Sequence, residues 1–321
     1  MKSPQENNSM NEFDSIKKFF EAQPIHRPDV ILGIGDDAAI LKTTSQNLII
    51  TTDTLIEDIH FPKNTSAFDI GFKALAVNLS DLAAMGATPA WITLALTLPE
   101  INESWLEEFC KGLFTLMQRY HVQLIGGDLT RGPLSITIQA HGFSPENHAI
   151  RRDNAKMNDL IYVTHTLGDA ALGLLYATHQ INIDPALSDT LLIRLNRPEP
   201  QIEIGEKLRG IAHTAIDISD GLVADITHIL NKSKVGAIIH VDNIPLSTAL
   251  REAVPYHQAL KLALTGGDDY ELCFTIPAAK KELLDFPCTC IGEIIETPEL
   301  YLLHKDKSQY TDISNGGYRH F

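Results

Sequence analysis

Positive charge is scarce in this 321-residue chain: 26 lysines and arginines stand against 41 aspartates and glutamates, a formal net charge of −15 at pH 7. Nucleic acid is held through its phosphates by a basic surface, and so is an anionic membrane, so this balance argues against both. Long hydrophobic runs are missing too. No stretch reaches the roughly 18 apolar residues that a membrane helix needs. Residues 1–14 are polar and carry no apolar segment of the secretory type, so no signal peptide is expected. Cysteine is sparse: Cys110, Cys273, Cys288 and Cys290 are the full set. The single residue between Cys288 and Cys290 fits neither a redox pair nor a zinc knuckle. Reduced, buried thiols in a cytoplasmic protein are the expectation. There is no G-x-x-x-x-G-K-[ST] loop, no protein-kinase motif set, no G-x-S-x-G elbow and no H-E-x-x-H helix. These absences exclude the Walker-type ATPases, the protein kinases, the common serine hydrolases and the zinc peptidases.

What is present is ordinary globular material, 44% hydrophobic and 21% charged. The length favours two domains. Residues 1–11 read as a disordered tail, 12–148 as an N-terminal α+β domain, and 149–321 as a C-terminal α+β domain. The boundary falls in the Pro-, Asn- and charge-rich stretch 143–158. Short helices are expected over residues 14–22 and after Pro200, and a long buried one over 67–85. Ser104, with Glu107 three residues on, marks another helix start. Its apolar stripe follows as Leu106, Phe109, Leu113, Leu116 and Tyr120. Further helices fit 169–180 and 222–231. Strands fit 48–52, 90–98, 122–125, 134–141, 160–164, 237–241 and 270–276. The alternation is too irregular for a clean parallel sheet, so two α+β domains of mixed α/β type are predicted.

The placing of the aspartates is the most informative pattern. Six segments set Asp beside Gly or after an apolar run: Gly35-Asp36-Asp37, Thr52-Asp53, Ser80-Asp81, Gly127-Asp128, Asp217-Ile218-Ser219-Asp220-Gly221 and Gly267-Asp268-Asp269. Asp is common in turns for local reasons, because it bonds nearby backbone N–H groups. Strand ends and Gly turns are also where a fold presents short carboxylates to a shared cleft. Clustered carboxylates repel each other, by about 4 kcal/mol per pair at 4 Å and an effective dielectric of 20. Hard cations relieve this, and an all-oxygen donor set favours Mg²⁺ or Ca²⁺ over zinc. The twelve-residue calcium loop is absent. Mg²⁺ characteristically bridges one or two carboxylates to substrate phosphates, so a metal–phosphate site is expected. Gly33-Ile34-Gly35-Asp36-Asp37-Ala38 imitates a dinucleotide fingerprint. However, two aspartates inside the turn would face a pyrophosphate, and residues 39–52 read as strand–turn–strand. Among thirteen scattered histidines, His60, just beyond Asp53, stands apart.

The ordered set of motifs resembles the thiamine-monophosphate kinase family. It comprises Gly33-Ile34-Gly35-Asp36-Asp37-Ala38-Ala39, Thr51-Thr52-Asp53-Thr54-Leu55, His60-Phe61 and the run from Lys73 through Ser80-Asp81 to Ala87. It continues with Gly126-Gly127-Asp128-Leu129-Thr130-Arg131-Gly132, Asp217-Ile218-Ser219-Asp220-Gly221-Leu222, Gly266-Gly267-Asp268-Asp269-Tyr270-Glu271-Leu272 and Gly317-Tyr318-Arg319-His320-Phe321. The likeness runs from about residue 30 to the end. The Lys73–Ala87 run alone is shared with the wider aminoimidazole-ribotide synthetase-like superfamily, whose two-domain architecture, without a phosphate loop, is thereby implied.

The resemblance implies several Mg²⁺ ions held by Asp37, Thr51, Thr52, Asp53, Asp81, Asp128, Asp217 and Asp220. It implies ATP as co-substrate, met by Gly127, Asp128, Arg152 and Ser219, and thiamine monophosphate, met by His60, Asp268 and the segment around Asn315. Asp53, Asp128 and Arg152 are the residues expected to carry the reaction, a direct in-line phosphoryl transfer. Two departures are visible. Asp268 stands where the family often has Glu, one methylene longer, and Asn315 stands where an aromatic residue is common, leaving Tyr318 as a substitute. A homodimer is implied as well. The alternatives are a sibling enzyme of the superfamily, or a non-catalytic acidic module that binds metal or nucleotide. Selenophosphate synthetase has a Cys or selenocysteine near its start, and the hydrogenase-maturation dehydratase ends in Cys; here the first cysteine is Cys110 and the last residue Phe321.

Overall fold

The computed structural model describes residues 11–21, 24, 26–34, 38–43 and 45–313. Asn11 opens it as a helix cap, its side-chain oxygen accepting the Asp14 N–H at 2.9 Å. It therefore belongs to the helix start and not to a tail; residues 1–10 lie outside the described residues. The short helix α1 (Glu12–Ser15) widens directly into a π-helical turn at Ile16–Glu21. Next come β1 (Val30–Leu32) and β2 (Ile40–Leu41), an antiparallel pair. They are followed by β3 (Asn47–Ile56), α2 (Ala67–Ala84), β4 (Thr88–Leu98), α3 (Glu103–Arg119), β5 (Gln123–Arg131) and β6 (Ser135–Ser144).

Strands β3, β6, β4 and β5 form one sheet in that order. β4 and β5 are parallel, and parallel neighbours need a crossover, which α3 supplies. The α3 stripe predicted from sequence is the buried one: Leu106, Phe109, Leu113 and Leu116 have no exposed surface. Its start differs from expectation. Asn102, not Ser104, is the cap, accepting the Trp105 N–H at 3.1 Å, while Ser104 donates to the same Asn102 oxygen at 2.8 Å. The Asn amide oxygen can accept both bonds, so the helix begins earlier than the Ser104–Glu107 spacing suggests.

Two strands run further than their apolar content indicates. β3 continues past Asp53 to Ile56, and β5 continues through Gly127 and Asp128 to Arg131. Asp53 and Asp128 therefore sit inside strands and not at strand ends. For β5 the reason is its partner: pairing with β4 is maintained from Gln123 opposite Trp91 to Arg131 opposite Leu98. Gly127, at φ +155°, permits it, because a Cβ there would lie 1.9 Å from the Leu94 carbonyl oxygen.

The later part holds β7 (Asp159–Thr164), α4 (Asp169–Ala177), α5 (Pro185–Asn196), α6 (Ile202–Lys207), β8 (Thr214–Asp217) and α7 (Leu222–Ser233). After them come β9 (Gly236–His240), α8 (Thr248–Ala253), α9 (Tyr256–Thr265), β10 (Leu272–Pro277), β11 (Cys288–Ile295) and β12 (Leu300–Leu303). The sheet order is β12-β9-β11-β7-β10-β8, antiparallel throughout except for the β12–β9 pair. Ile161, Val163, Ile216, Ile226, Ile229 and Leu264 belong to one buried cluster. The strand expected over 270–276 begins at Leu272, because Tyr270 takes a left-handed φ of 51°. Among the described residues no helix is long and apolar enough to cross a membrane.

Contacts divide the chain into two units. One contains the described residues of Met1–Ser45, Thr52–Leu75 and Pro89–His141; the other contains Gln46–Thr51, Ala76–Thr88 and the described residues of Gly142–Phe321. Thr51, Ser80 and Asp81 thus belong to the second unit with β8, although they lie far from it in sequence.

In the first unit α2 and α3 meet backbone to backbone. A Cβ on Gly112 would stand 1.9 Å from the Phe68 carbonyl oxygen, and one on Gly71 would stand 2.1 Å from that of Phe109. Gly112→Ala is therefore expected to lower the urea midpoint by the equivalent of about 1–3 kcal/mol, the usual cost of overpacking. An unchanged midpoint would show that the helices part without cost.

Candidate active site

Two carboxylates come together in the second unit. Asp217 is the last residue of β8, where the register with Leu272 holds it 4% exposed. Ser80, buried in α2, donates its hydroxyl to Asp217 at 2.8 Å. Its neighbour Asp81 accepts a hydrogen bond from the Thr51 hydroxyl on β3. Burial pushes the Asp217 carboxyl well above the ordinary range, and the charge of Asp81 adds to this. Asp81 is raised by burial, against the opposing pull of the Thr51 hydrogen bond and the Arg152 charge. Three segments distant in sequence therefore hold like charges in a poorly solvated place.

An open cleft of about 520 Å³ adjoins this pair, lined by Thr51 and Asp81, by Arg151, Arg152, Asp153 and Lys232, and by the apolar Ile49, Ile50 and Met85. Carboxylates and cations thus border the same space. Arg151 is tied to Asp153 by two hydrogen bonds. Arg152 is exposed, and its main-chain carbonyl accepts from the Ser233 hydroxyl at 3.0 Å.

Beyond β8 the chain turns through Ser219, Asp220 and Gly221 into α7. Their three N–H groups all donate to one oxygen of Asp225, at 3.0, 3.0 and 3.1 Å. Burial, then the charge of Asp220, pushes Asp225 up to about 7 despite those bonds. The same turn is stitched to the segment carrying Asp268: the Asp268 N–H donates to the Ser219 carbonyl at 2.9 Å and the Tyr270 N–H to that of Ile218 at 2.8 Å. Asp268 and Tyr270 both have left-handed φ, 69° and 51°. Such geometry is costly for residues with side chains and persists where surroundings over-determine it. Here Asp269 accepts the Gly168 N–H with both oxygens, and Glu271 pairs with Arg194 at 2.7 Å and with the Thr164 hydroxyl at 2.5 Å.

The first unit carries the remaining described candidates. Gly127 and Asp128 line a small cavity of about 50 Å³ that is otherwise apolar, walled by Phe20, Ile34, Leu94 and Leu124 among others. Along β3, Asp53 alternates onto the same strand face as Thr51, and Thr52 points to the other face. His60 sits in a tight turn in which its Nδ1 accepts the Ile56 N–H at 3.0 Å. That bond fixes the tautomer, leaving the ring proton on Nε2 when the imidazole is neutral. The buried Lys73 ammonium donates to the His60 carbonyl at 3.2 Å. Asp37, Asn315 and Tyr318 lie outside the described residues.

Among the described residues, no group of three or more His, Cys, Asp or Glu side chains is placed to hold a metal ion by itself. The Asp81–Asp217 pair with the Thr51 hydroxyl is a smaller, all-oxygen set whose mutual repulsion a cation would relieve. It fits Mg²⁺, which takes one or two carboxylates and completes its shell with water and phosphate oxygens.

Residues 35–144 match the family model of AIR synthase related protein, N-terminal domain. The thiamine-monophosphate kinase of Escherichia coli (strain K12) is 47% identical over 319 residues, covering 97% of this chain and 98% of its own length. The chain belongs to the thiamine-monophosphate kinase family. The solved thiamine-monophosphate kinase of Stenotrophomonas maltophilia K279a superposes with a TM-score of 0.85 at 47% identity, covering 92% of this chain and 97% of its own. AaThiL, solved in complex with AMPPCP and TMP, superposes with a TM-score of 0.78 at 31% identity, covering 96% of each chain. The fold is the mixed α+β architecture expected from the irregular alternation of strands and helices, and of the AIR synthase-like kind that the resemblance implies.

Within this kinase fold, reading the motifs misses the residues that brace the site. Ser80 was visible only as a neighbour of Asp81. Asp225 had one weak signal, an acidic residue in the otherwise apolar first turns of a helix. Ser233 and Lys232 had none.

The raised carboxyls make the metal-free kinase pH-sensitive. A carboxyl whose value is higher folded than unfolded contributes stability that is full below about pH 4 and is lost as pH rises through its folded value. For Asp81 and Asp217 burial moves that loss above the ordinary carboxylate range, and Asp225 is pushed up to about 7. Asp217→Asn keeps an acceptor for Ser80 and removes the charge. It is expected to raise the melting temperature of the metal-free protein at pH 8 by roughly 2–4 °C, the shift that about 1 kcal/mol produces, and by less at pH 5. A lower melting temperature at both pH values would overturn this account.

Proposed function

We propose that this chain transfers the γ-phosphoryl group of ATP to the phosphate of thiamine monophosphate, giving thiamine diphosphate and ADP. The observation that carries the reading is Asp81, coupled to the buried Asp217, lining a cleft with Arg152, in a chain 47% identical to a thiamine-monophosphate kinase over nearly its full length. An AaThiL complex holding AMPPCP and TMP together supports the pairing of substrates. A phosphate monoester has a second pKa near 6, so the acceptor is already mostly an anionic nucleophile at neutral pH. Its oxygen forms a bond to the γ-phosphorus as the bond to the ADP oxygen breaks, with no general base required. The task left to the protein is to hold two polyanions in line and to balance their charge.

Arg152 supplies fixed positive charge to the phosphates. Ser219 and Gly127 face the nucleotide. His60 offers an Nε2–H donor to the acceptor phosphate, and Asp268, with Asn315 and Tyr318, receives the cationic thiazolium. Mg²⁺ would be held by Asp81, Asp217 and Thr51, joined by Asp37, Thr52, Asp53, Asp128 and Asp220; Thr52 would join through its main chain, since its side chain points to the other face of β3. When bound, the ions neutralise phosphate charge in the transition state. A cytoplasmic setting fits the four cysteines, all of them free thiols. A homodimer fits β3, which leaves Leu48, Ile50 and Ile56 exposed by 42%, 54% and 36% on one strand face.

Incubation with ATP, Mg²⁺ and thiamine monophosphate is expected to yield thiamine diphosphate; no product at any Mg²⁺ concentration would sink the reading. With a chiral γ-phosphate, inversion is expected and retention would exclude the single in-line step. Asp53→Asn and Asp128→Asn are each expected to lower kcat about 100-fold or more and to raise the Mg²⁺ requirement while the melting temperature holds. Wild-type rates in both would remove the metal assignment. Sedimentation should give a dimer that Ile50→Asp splits; a monomeric wild type would refute the assembly.

A further inference from the structure

The turn Ser219-Asp220-Gly221 has the form of an anion seat: three consecutive N–H groups converge at the start of a twelve-residue helix. In this chain the seat is filled from within. One carboxylate oxygen of Asp225, which is 2% exposed, takes all three bonds. The N–H groups are therefore committed to the protein and are not offered to a phosphate. The far end of α7 is tied in the same way: the Ser233 hydroxyl donates to the Arg152 carbonyl at 3.0 Å and accepts the Ala155 N–H at 3.1 Å. A helix of twelve residues is about 18 Å long, so α7 links the Ser219–Gly221 turn at one end to the Arg152 segment at the other.

We propose that Asp225 is the positioning residue of the nucleotide-side turn, occupying the anion seat itself and thereby fixing where Ser219 and Asp220 point. This rests on the kinase reading, in which those two residues serve ATP and metal. The side chain touches no reacting atom. It replaces the phosphate that such a turn would otherwise attract, so nucleotide phosphates must be met by side chains and cations.

The test uses the full chain and the variants Asp225→Asn and Asp225→Ala. Hydrogen exchange of the Ser219–Gly221 amides is expected to be slow in the wild type and about tenfold or more faster in Asp225→Asn. The KM for ATP is expected to rise about tenfold in Asp225→Asn, the effect of losing one to two kcal/mol of charged hydrogen bonding. The KM for thiamine monophosphate should move less than about twofold, a margin smaller than half a kcal/mol. In Asp225→Ala, formate at high concentration is expected to refill the seat and recover part of the ATP affinity, which general destabilisation would not allow. ADP affinity, measured by calorimetry, reads the same effect without turnover. If the wild type makes no thiamine diphosphate, the kinase reading fails while exchange and ADP affinity still judge Asp225. If the wild type turns over and Asp225→Asn matches it in exchange and in KM for ATP, the positioning role is overturned. Should both variants fail to fold, unprotected Ser219–Gly221 amides in the wild type would overturn it as well.

Discussion

Like charge held away from water is the constraint around which the second unit is built. Asp81 and Asp217 stand where each raises the cost of ionising the other, and the surrounding groups answer that cost piecemeal: Ser80 and Thr51 with hydroxyl donors, Arg152 with charge. None of these cancels the repulsion. A fold that keeps such a pair carries an incomplete electrostatic arrangement, one that a cation arriving with a polyphosphate would complete. The overall acidity takes on a different meaning here. It argues against nucleic acid as a partner, yet it suits a nucleotide that would arrive with metal between two sets of anions.

The polar residues around this pair sort into those that face the cleft and those that hold them. Asp225, Asp269 and Glu271 are buried acids spent on backbone N–H groups or on Arg194. They fix two turns whose backbones cross-bond at Ser219 and Asp268. Along Gly267-Asp268-Asp269-Tyr270-Glu271 the main chain of Asp268 is bonded to the Ser219 turn, while the side chains of Asp269 and Glu271 anchor the segment to Gly168, Thr164 and Arg194. Those anchors hold the left-handed backbone of two residues with side chains.

Much of this was legible in the sequence, for identifiable reasons. The α3 stripe and the long buried α2 are periodic, and periodicity reports burial directly. Of the aspartate segments singled out, those of Asp81 and Asp217 come together in the second unit, through Ser80 and the mutual effect of the two charges. Asp53 and Asp128 were misplaced at strand ends because strand length is set by pairing partners, and β4 keeps β5 extended through Gly127 and Asp128. The start of α3 differs from the Ser104–Glu107 spacing because Ser104 donates its hydroxyl to Asn102 and leaves the capping of the Trp105 N–H to the Asn102 oxygen. Asp225 and Ser233 escaped notice because their role exists only between segments; nothing local distinguishes them from ordinary helix residues. Asp37, Asn315 and Tyr318 rest on the family resemblance.

The cysteines, so uninformative as a pattern, acquire a use from where they lie. Cys110 is buried in α3 of the first unit and Cys273 in β10 of the second, and burial lifts both thiols far from the reactive range. Neither can meet a reagent until its own unit opens. The chain therefore carries a natural clock in each half, and the order in which the two sulfurs are alkylated tells which half breathes first.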